Sequence, residues 1–135
     1  MSNLQTVQAI YQAFGRGDVA AILDRLSPTV EWEYPEGSPS VPWLRRRTGR
    51  EAVAGFFRDL GDVRLEKFVP KEFLEGPAVV VVLIDVELVV KATGRRVVED
   101  DEIHVWRFDA RGQVARFRHG IDTHRHHLAL HGGAA

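Results

Sequence analysis

Two histidines stand among aromatic and branched residues in EIHVWRFDARGQVARFRHGID, residues 102–122. The unperturbed pKa of an imidazole lies near neutrality, so His104 and His119 can each accept or donate a proton under physiological conditions. Glu102 shortly precedes His104. A carboxylate beside an imidazole favours the protonated ring and fixes its orientation, whereas burial favours the neutral ring. Either environment yields a poised acid or base. The alternative is that both imidazoles only satisfy hydrogen bonds in a mixed core.

The same stretch alternates with a period of two on both sides of DARG, which predicts a β-hairpin. Glu102, His104, Trp106 and Phe108 share one strand face, matched by Ala115, Phe117, His119 and Ile121. These faces must be the buried ones, because the reverse would bury Arg116 and Arg118. A two- or four-residue loop puts His104 opposite Phe117 and Glu102 opposite His119, making the histidines diagonal neighbours. A three-residue bulged turn would shift the pairings by one.

Other elements must hold this hairpin. Leu4, Val7, Ile10, Tyr11 and Phe14 recur at helical spacing, and so do Val19, Ile22, Leu23 and Leu26, with Asp18 as N-cap between them. Val30, Trp32 and Tyr34 then alternate with Glu31 and Glu33, which reads as a strand. Residues 35–47 are rich in Pro, Gly and Ser and read as a loop carrying Trp43. TGRE at 48–51 has the form of a capping box, with Thr48 bonding the Glu51 amide, and opens a helix that buries Val53, Phe56, Phe57 and Leu60. Strands are expected at 63–75, 78–91, 96–109 and 113–122. This order is α+β, and a twisted antiparallel sheet curling around helices leaves room for an internal pocket.

Composition bounds the function. The chain has 135 residues, 44% of them apolar, which suits one globular domain. A net charge of −1 gives no general attraction to nucleic acid or to an anionic membrane. The absence of cysteine excludes disulfides and thiolate chemistry and agrees with a cytoplasmic location. The start MSNLQTVQAI lacks the pattern of a secretory signal, and AVVVVLI at 78–84 is too short to span a bilayer.

YQAFGRGDVAAILDRLSPTVEWEYPEG, then TGREAVAGFF and HVWRFDARGQVARFRHGID, resemble the SnoaL-like, ketosteroid-isomerase-related branch of the nuclear-transport-factor-2-like superfamily. The likeness spans nearly the whole chain. Its most specific pieces are GD at 17–18, the Trp32 strand ending in Pro35, the TGRE helix start and the VWRF hairpin. It implies a cone-shaped, cystatin-like fold: a curved sheet wrapped on three N-terminal helices around a deep apolar pocket, commonly a homodimer through the outer sheet face. Relatives include isomerases, polyketide cyclases, epoxide hydrolases, dehydratases and plain binding modules, so the fold alone does not assign an activity.

Residue by residue, the resemblance puts Tyr34 where ketosteroid isomerases carry their general-base carboxylate and His104 where they carry an oxyanion-holding one. Tyr11 is displaced by about half a turn from their catalytic tyrosine. His119 falls at or next to the last acidic position of the epoxide hydrolases and polyketide cyclases, and the cyclases do use an inward histidine at the position of His104. Glu102 is the nearest substitute for a missing carboxylate. The pocket is therefore expected to be lined by Trp32, Tyr34, Trp43, Phe56, Ile84, His104, Trp106, Phe117 and His119.

The expected function is binding of a small hydrophobic molecule, with cofactor-free acid/base chemistry beside a carbonyl of isomerase, cyclase or dehydratase type. His104, His119, Glu102 and Tyr34 would be the catalytic set. A non-catalytic ligand-binding or dimerisation module is the alternative. No metal is expected. His127 and His131 have zinc-compatible helical spacing, but residues 124–135 read more simply as a flexible tail, and strand alternation splits EDDE at 99–102 across two faces. Arg45, Arg46 and Arg47 read as solvated or dimer-contact charges near the pocket mouth, or as a means of steering an anionic substrate.

Overall fold

The computed structural model describes residues 1–34 and 40–132; Pro35 and the first part of the expected loop lie outside them. Helix α1, Asn3–Gly15, starts with a capping box between Ser2 and Gln5 and buries Thr6, Val7, Ile10 and Ala13. Gly17, at φ 72°, makes the turn, and the Asp18 carboxylate caps α2, Val19–Leu23. The second helix is shorter than its apolar spacing suggests, because Leu26 already opens strand β1, Leu26–Glu33. A 3-10 turn at Pro42–Leu44 carries the buried Trp43, followed by strand β2, Arg47–Thr48, and helix α3, Arg50–Asp59.

The capping box expected at Thr48 does not form. Thr48 is paired in the sheet opposite Glu31 and donates to its carboxylate, while Gly49, at φ 89°, is the N-cap of α3. The β pairing takes the hydroxyl away from the helix start.

Strands β3 (Val63–Gly76), β4 (Val79–Val90), β5 (Arg96–Phe108) and β6 (Val114–Gly120) follow, and helix α4, Thr123–His131, ends the described chain. They form a curved six-stranded sheet in the order β2-β1-β6-β5-β4-β3. Its pairs are antiparallel except β1 with β6, which run parallel. The inner face of β4, with Val80, Val82, Ile84, Val86, Leu88 and Val90 all buried, alternates with the outer residues Asp85 and Glu87. The core lies between this face and the helices.

Helix α4 corrects the expectation of a flexible tail over 124–135. Asp122 caps it, Arg95 and Thr93 donate to its carbonyls at Leu128 and Ala129, and His126 and Ala129 are buried. Residues 133–135 lie outside the described part.

Two irregularities in β5 decide which side chains meet. At the hairpin, Asp109 and Gln113 close a three-residue turn, and a bulge leaves Ala115 without a partner between the pairs Phe108–Val114 and Arg107–Arg116. Turn and bulge each add one residue of slip. His104 therefore pairs directly with His119, and Trp106 with Phe117, rather than His104 with Phe117. Beyond the bulge the even slip keeps Phe117 and His119 on their expected face, so both imidazoles point inward, whereas before it Val114 takes the buried place expected of Ala115. The second irregularity lies between the pairs Ile84–Glu102 and Val86–Glu99, where Asp101 takes φ 60°. This bulge turns Glu99 inward together with Glu102, while Asp101 stays outside against Lys71 at 2.6 Å.

Candidate functional site

Strands β5 and β6 bring His104, His119, Glu102, Trp106 and Phe117 to one end of an internal cavity of about 90 Å³. Strand β1 adds Trp32 and the chain just beyond it Tyr34; the 3-10 turn adds Trp43, and α3 adds Phe56. The rest of the lining is largely apolar and includes Ile10, Phe14, Leu60, Leu65 and Leu88. Ile84 does not line the cavity. It is fully buried in the core, and β4 contributes Val86 and Leu88 to the wall instead. Among the described residues no lysine or arginine lines it.

Tyr11 is a member of this site that sequence reasoning set aside. Its hydroxyl lies 2.7 Å from His104 Nδ1, and Trp106 Nε1 donates to it at 3.0 Å. The indole N–H can only donate, and His104 Nδ1 is the acceptor within reach of the buried Tyr11 proton, so donation from Tyr11 to Nδ1 is the arrangement that satisfies both groups. In that arrangement the His104 proton sits on Nε2. The helical stripe containing Tyr11 was legible; a partner 93 positions away was not. Burial pushes the Tyr11 hydroxyl well above its usual range, the Trp106 hydrogen bond opposes this, and the Glu102 charge adds to it. Tyr11 therefore stays protonated and serves as a fixed donor.

The expected pairing of Glu102 with His119 does not occur, because the hairpin slip moves His119 opposite His104. Glu102 Oε2 instead approaches His104 Nε2 at 3.3 Å, without the alignment of a hydrogen bond, and both groups are buried. His119 lies against Tyr34, the rings nearly parallel at 10° with centroids 4.2 Å apart. Tyr34 is thus a stacking platform. Burial raises its pKa well above the ordinary value, with the Trp32 indole opposing.

Burial pushes His119 well below the usual imidazole range, and the neighbouring His104 adds to the effect. The ring is neutral at physiological pH. Two polar atoms of this cluster, His104 Nε2 and His119 Nδ1, are buried without a hydrogen-bond partner among the described protein atoms. Buried orphans of this kind are rare, and their concentration on one cavity makes it the candidate site.

A second buried cluster borders the cavity. Trp43 Nε1 donates to His126 Nδ1 at 2.9 Å, and His126 Nε2 meets Glu99 Oε1 at 2.6 Å. Since Nδ1 accepts from the indole, the His126 proton sits on Nε2 and is donated to Glu99. The other Glu99 oxygen accepts from the Asp122 amide. All nitrogens of His126 are used, so this cluster ties α4, β5 and the 3-10 turn together. It was hidden because it needs the β5 bulge and the folding back of α4.

The basic run does not act as expected at Arg47. Its guanidinium is mostly buried and bonds Pro42 O, Ala52 O and Asp59, clipping the 3-10 turn to α3, while Arg46 pairs with Glu33. Among the described residues no cluster of three His, Asp or Glu side chains converges as metal ligands.

The family profile of the SnoaL-like domain matches residues 7–117. The chain belongs to the SnoaL-like family. A nuclear-transport-factor-2-like protein of unknown function from Burkholderia pseudomallei is 31% identical to this SnoaL-like chain, with a TM-score of 0.83 over 98% of this chain and 100% of that one. TerC, co-crystallized with polyporic acid, is 27% identical, with a TM-score of 0.79 over 95% of this chain and 97% of that one. A protein from Mesorhizobium loti described as a candidate SnoaL-like polyketide cyclase is 15% identical, with a TM-score of 0.73 over 90% and 100% of the two chains, and shares the fold. No curated protein gives a significant match. Among the described residues no helix is long and apolar enough to cross a membrane.

Proposed function

We propose that this SnoaL-like protein binds a small hydrophobic carbonyl compound in the cavity and moves a proton at the adjacent carbon, without a cofactor. The observation that carries the reading is the pair of buried, unpartnered nitrogens, His104 Nε2 and His119 Nδ1, on one apolar cavity beside Glu102. His119, held neutral by burial, takes the proton from carbon. The electron pair moves onto the carbonyl oxygen, which accepts a hydrogen bond from His104 Nε2–H. Tyr11, firmly protonated, cannot pass its own proton through His104, so His104 holds the developing charge rather than neutralising it. Return of the proton at another carbon completes an isomerisation. The likeness to TerC supports an organic ligand.

Exchange of deuterium from solvent into the carbon next to the carbonyl of small hydrophobic ketones tests this. Exchange faster than buffer, lost in His119→Gln and reduced in His104→Gln, is expected. Rates equal to buffer across the ketone panel refute catalysis. The rival reading, a non-catalytic binding module, is favoured by the imidazoles that stand where the family resemblance implies catalytic carboxylates; ligand retention without exchange establishes it.

We also propose a homodimer through the outer sheet face. Leu74, Val81, Leu83, Ile103 and Val105 adjoin there through the pairs Leu74–Val81, Val81–Val105 and Leu83–Ile103, with Leu74 and Ile103 exposed. A wild-type mass of twice the chain in light scattering, halved by Ile103→Arg, supports this; a monomer in the wild type sinks it.

A further inference from the structure

We propose that the cavity recognises one neutral hydroxyl on an apolar ring, a phenol or a stabilised enol, gripped between His104 Nε2 and His119 Nδ1. This rests on the reading of the cavity as a binding site for a small hydrophobic molecule. The two imidazoles are directly opposed across the hairpin, with ring centroids 4.7 Å apart and planes at 72°. Both nitrogens are buried and make no hydrogen bond among the described protein atoms, although Glu102 Oε2 stands 3.3 Å from His104 Nε2.

Their polarity selects the ligand. The chain Trp106 N–H to Tyr11 O–H to His104 Nδ1 leaves His104 Nε2 as a donor. His119 is a neutral ring whose Nδ1 offers a lone pair in one tautomer and an N–H in the other. A hydroxyl both donates and accepts. Its oxygen takes the His104 proton donor while the same group answers His119 in either tautomer. An ether only accepts, so it leaves His119 unserved whenever Nδ1 carries the lone pair. A carboxylate also only accepts, and it would enter beside Glu102 in a cavity that, among the described residues, has no lysine or arginine to balance it. The ring itself meets Trp32, Trp106, Phe117 and Phe56, which line the same end. A volume of about 90 Å³ is smaller than the ~150 Å³ of an engineered cavity that accommodates benzene, so the cavity takes no more than a single ring, and only as the lining side chains move outward to admit it.

Phenol, anisole and benzoate, titrated into the wild-type protein at neutral pH and followed by histidine-ring NMR, test the proposal. Phenol binding about tenfold tighter than anisole is expected, as the one hydrogen bond that anisole cannot make to His119 supplies. Its shifts should fall on His104 and His119 and spare His124, His127 and His131, with benzoate binding more weakly than phenol. Equal affinity for phenol and anisole overturns the hydroxyl grip but leaves the cavity as an apolar binding site. Benzoate binding tightest overturns it in favour of an anion site. No binding by any of the three overturns it together with the underlying reading of the cavity. As a second readout, Tyr11→Phe releases the His104 tautomer and should shrink the preference of phenol over anisole; an unchanged preference overturns the polarity argument.

Discussion

The neutral state of His119 has a consequence for stability that is separable from any ligand. Burial lowers its folded-state pKa well below the ordinary value of 6.5, so the unfolded chain takes up this proton first as pH falls. Stability contributed by the neutral ring is present above that value and is lost progressively as the solution is acidified below it. The slope approaches about 1.4 kcal/mol per pH unit for one proton, which sets an upper limit of about 2 kcal/mol by pH 5. Groups that act on the ring are His104 on β5, Glu33 on β1, His126 on α4 and the stacked Tyr34. Other side chains titrate in the same window, so the comparison with a variant isolates the effect. His119→Gln removes the titration at nearly constant volume. Urea unfolding of both proteins, followed by tryptophan fluorescence between about pH 8 and pH 5, measures the two slopes; a 2 kcal/mol difference moves the midpoint by roughly 1 M at ordinary m-values. The wild type should lose more than the variant on acidification, by up to about 2 kcal/mol, whatever the variant's own stability at high pH. Parallel acid profiles with unchanged m would refute the claim that this imidazole is held neutral.

Further outcomes follow from the same contacts. Tyr11 and Tyr34 are the only tyrosines and both are raised by burial, so native protein should show no phenolate absorbance through pH 10. The preference for the protonated ring stabilises the fold below the unfolded pKa and is lost as pH climbs above it, so phenolate should appear together with unfolding; stepwise ionisation of folded protein would contradict this. Glu99→Ala leaves the His126 Nε2–H and the Asp122 amide without acceptors and should cost about 2–4 kcal/mol in urea unfolding, against about 1–2 for Glu99→Gln, which keeps one acceptor; equal, small losses would mean the cluster holds nothing. Trp43→Phe removes the donor to His126 and should cost about 1–3 kcal/mol, with a wild-type-like midpoint as the refuting result.

Much of this SnoaL-like fold was legible in residue order. Strands β3 to β6 fall within a few residues of the expected ranges 63–75, 78–91, 96–109 and 113–122, because a period of two is a local property of the chain. Inward histidines were legible for the same reason, and stayed so despite a wrong register, since turn and bulge together slip the strands by an even number of residues. The contacts were not legible. Thr48 lost its capping role to a strand pair, and α4 took hold because Thr93 and Arg95 in the β4–β5 turn and Glu99 on β5 supply its partners.

By itself, then, the sequence determined the element types, the buried faces and the set of residues able to do acid/base chemistry. Those follow from local periodicity and from the cost of burying charge. Only the tertiary structure decided the partners: Tyr11 on His104, Glu102 on His104 instead of His119, Tyr34 stacked on His119, and Glu99 turned inward to His126. Each depends on a bulge, a turn length or a helix laid across the sheet. Those features shift atoms by a few ångströms without changing the hydrophobic pattern, and proton positions are set at that scale.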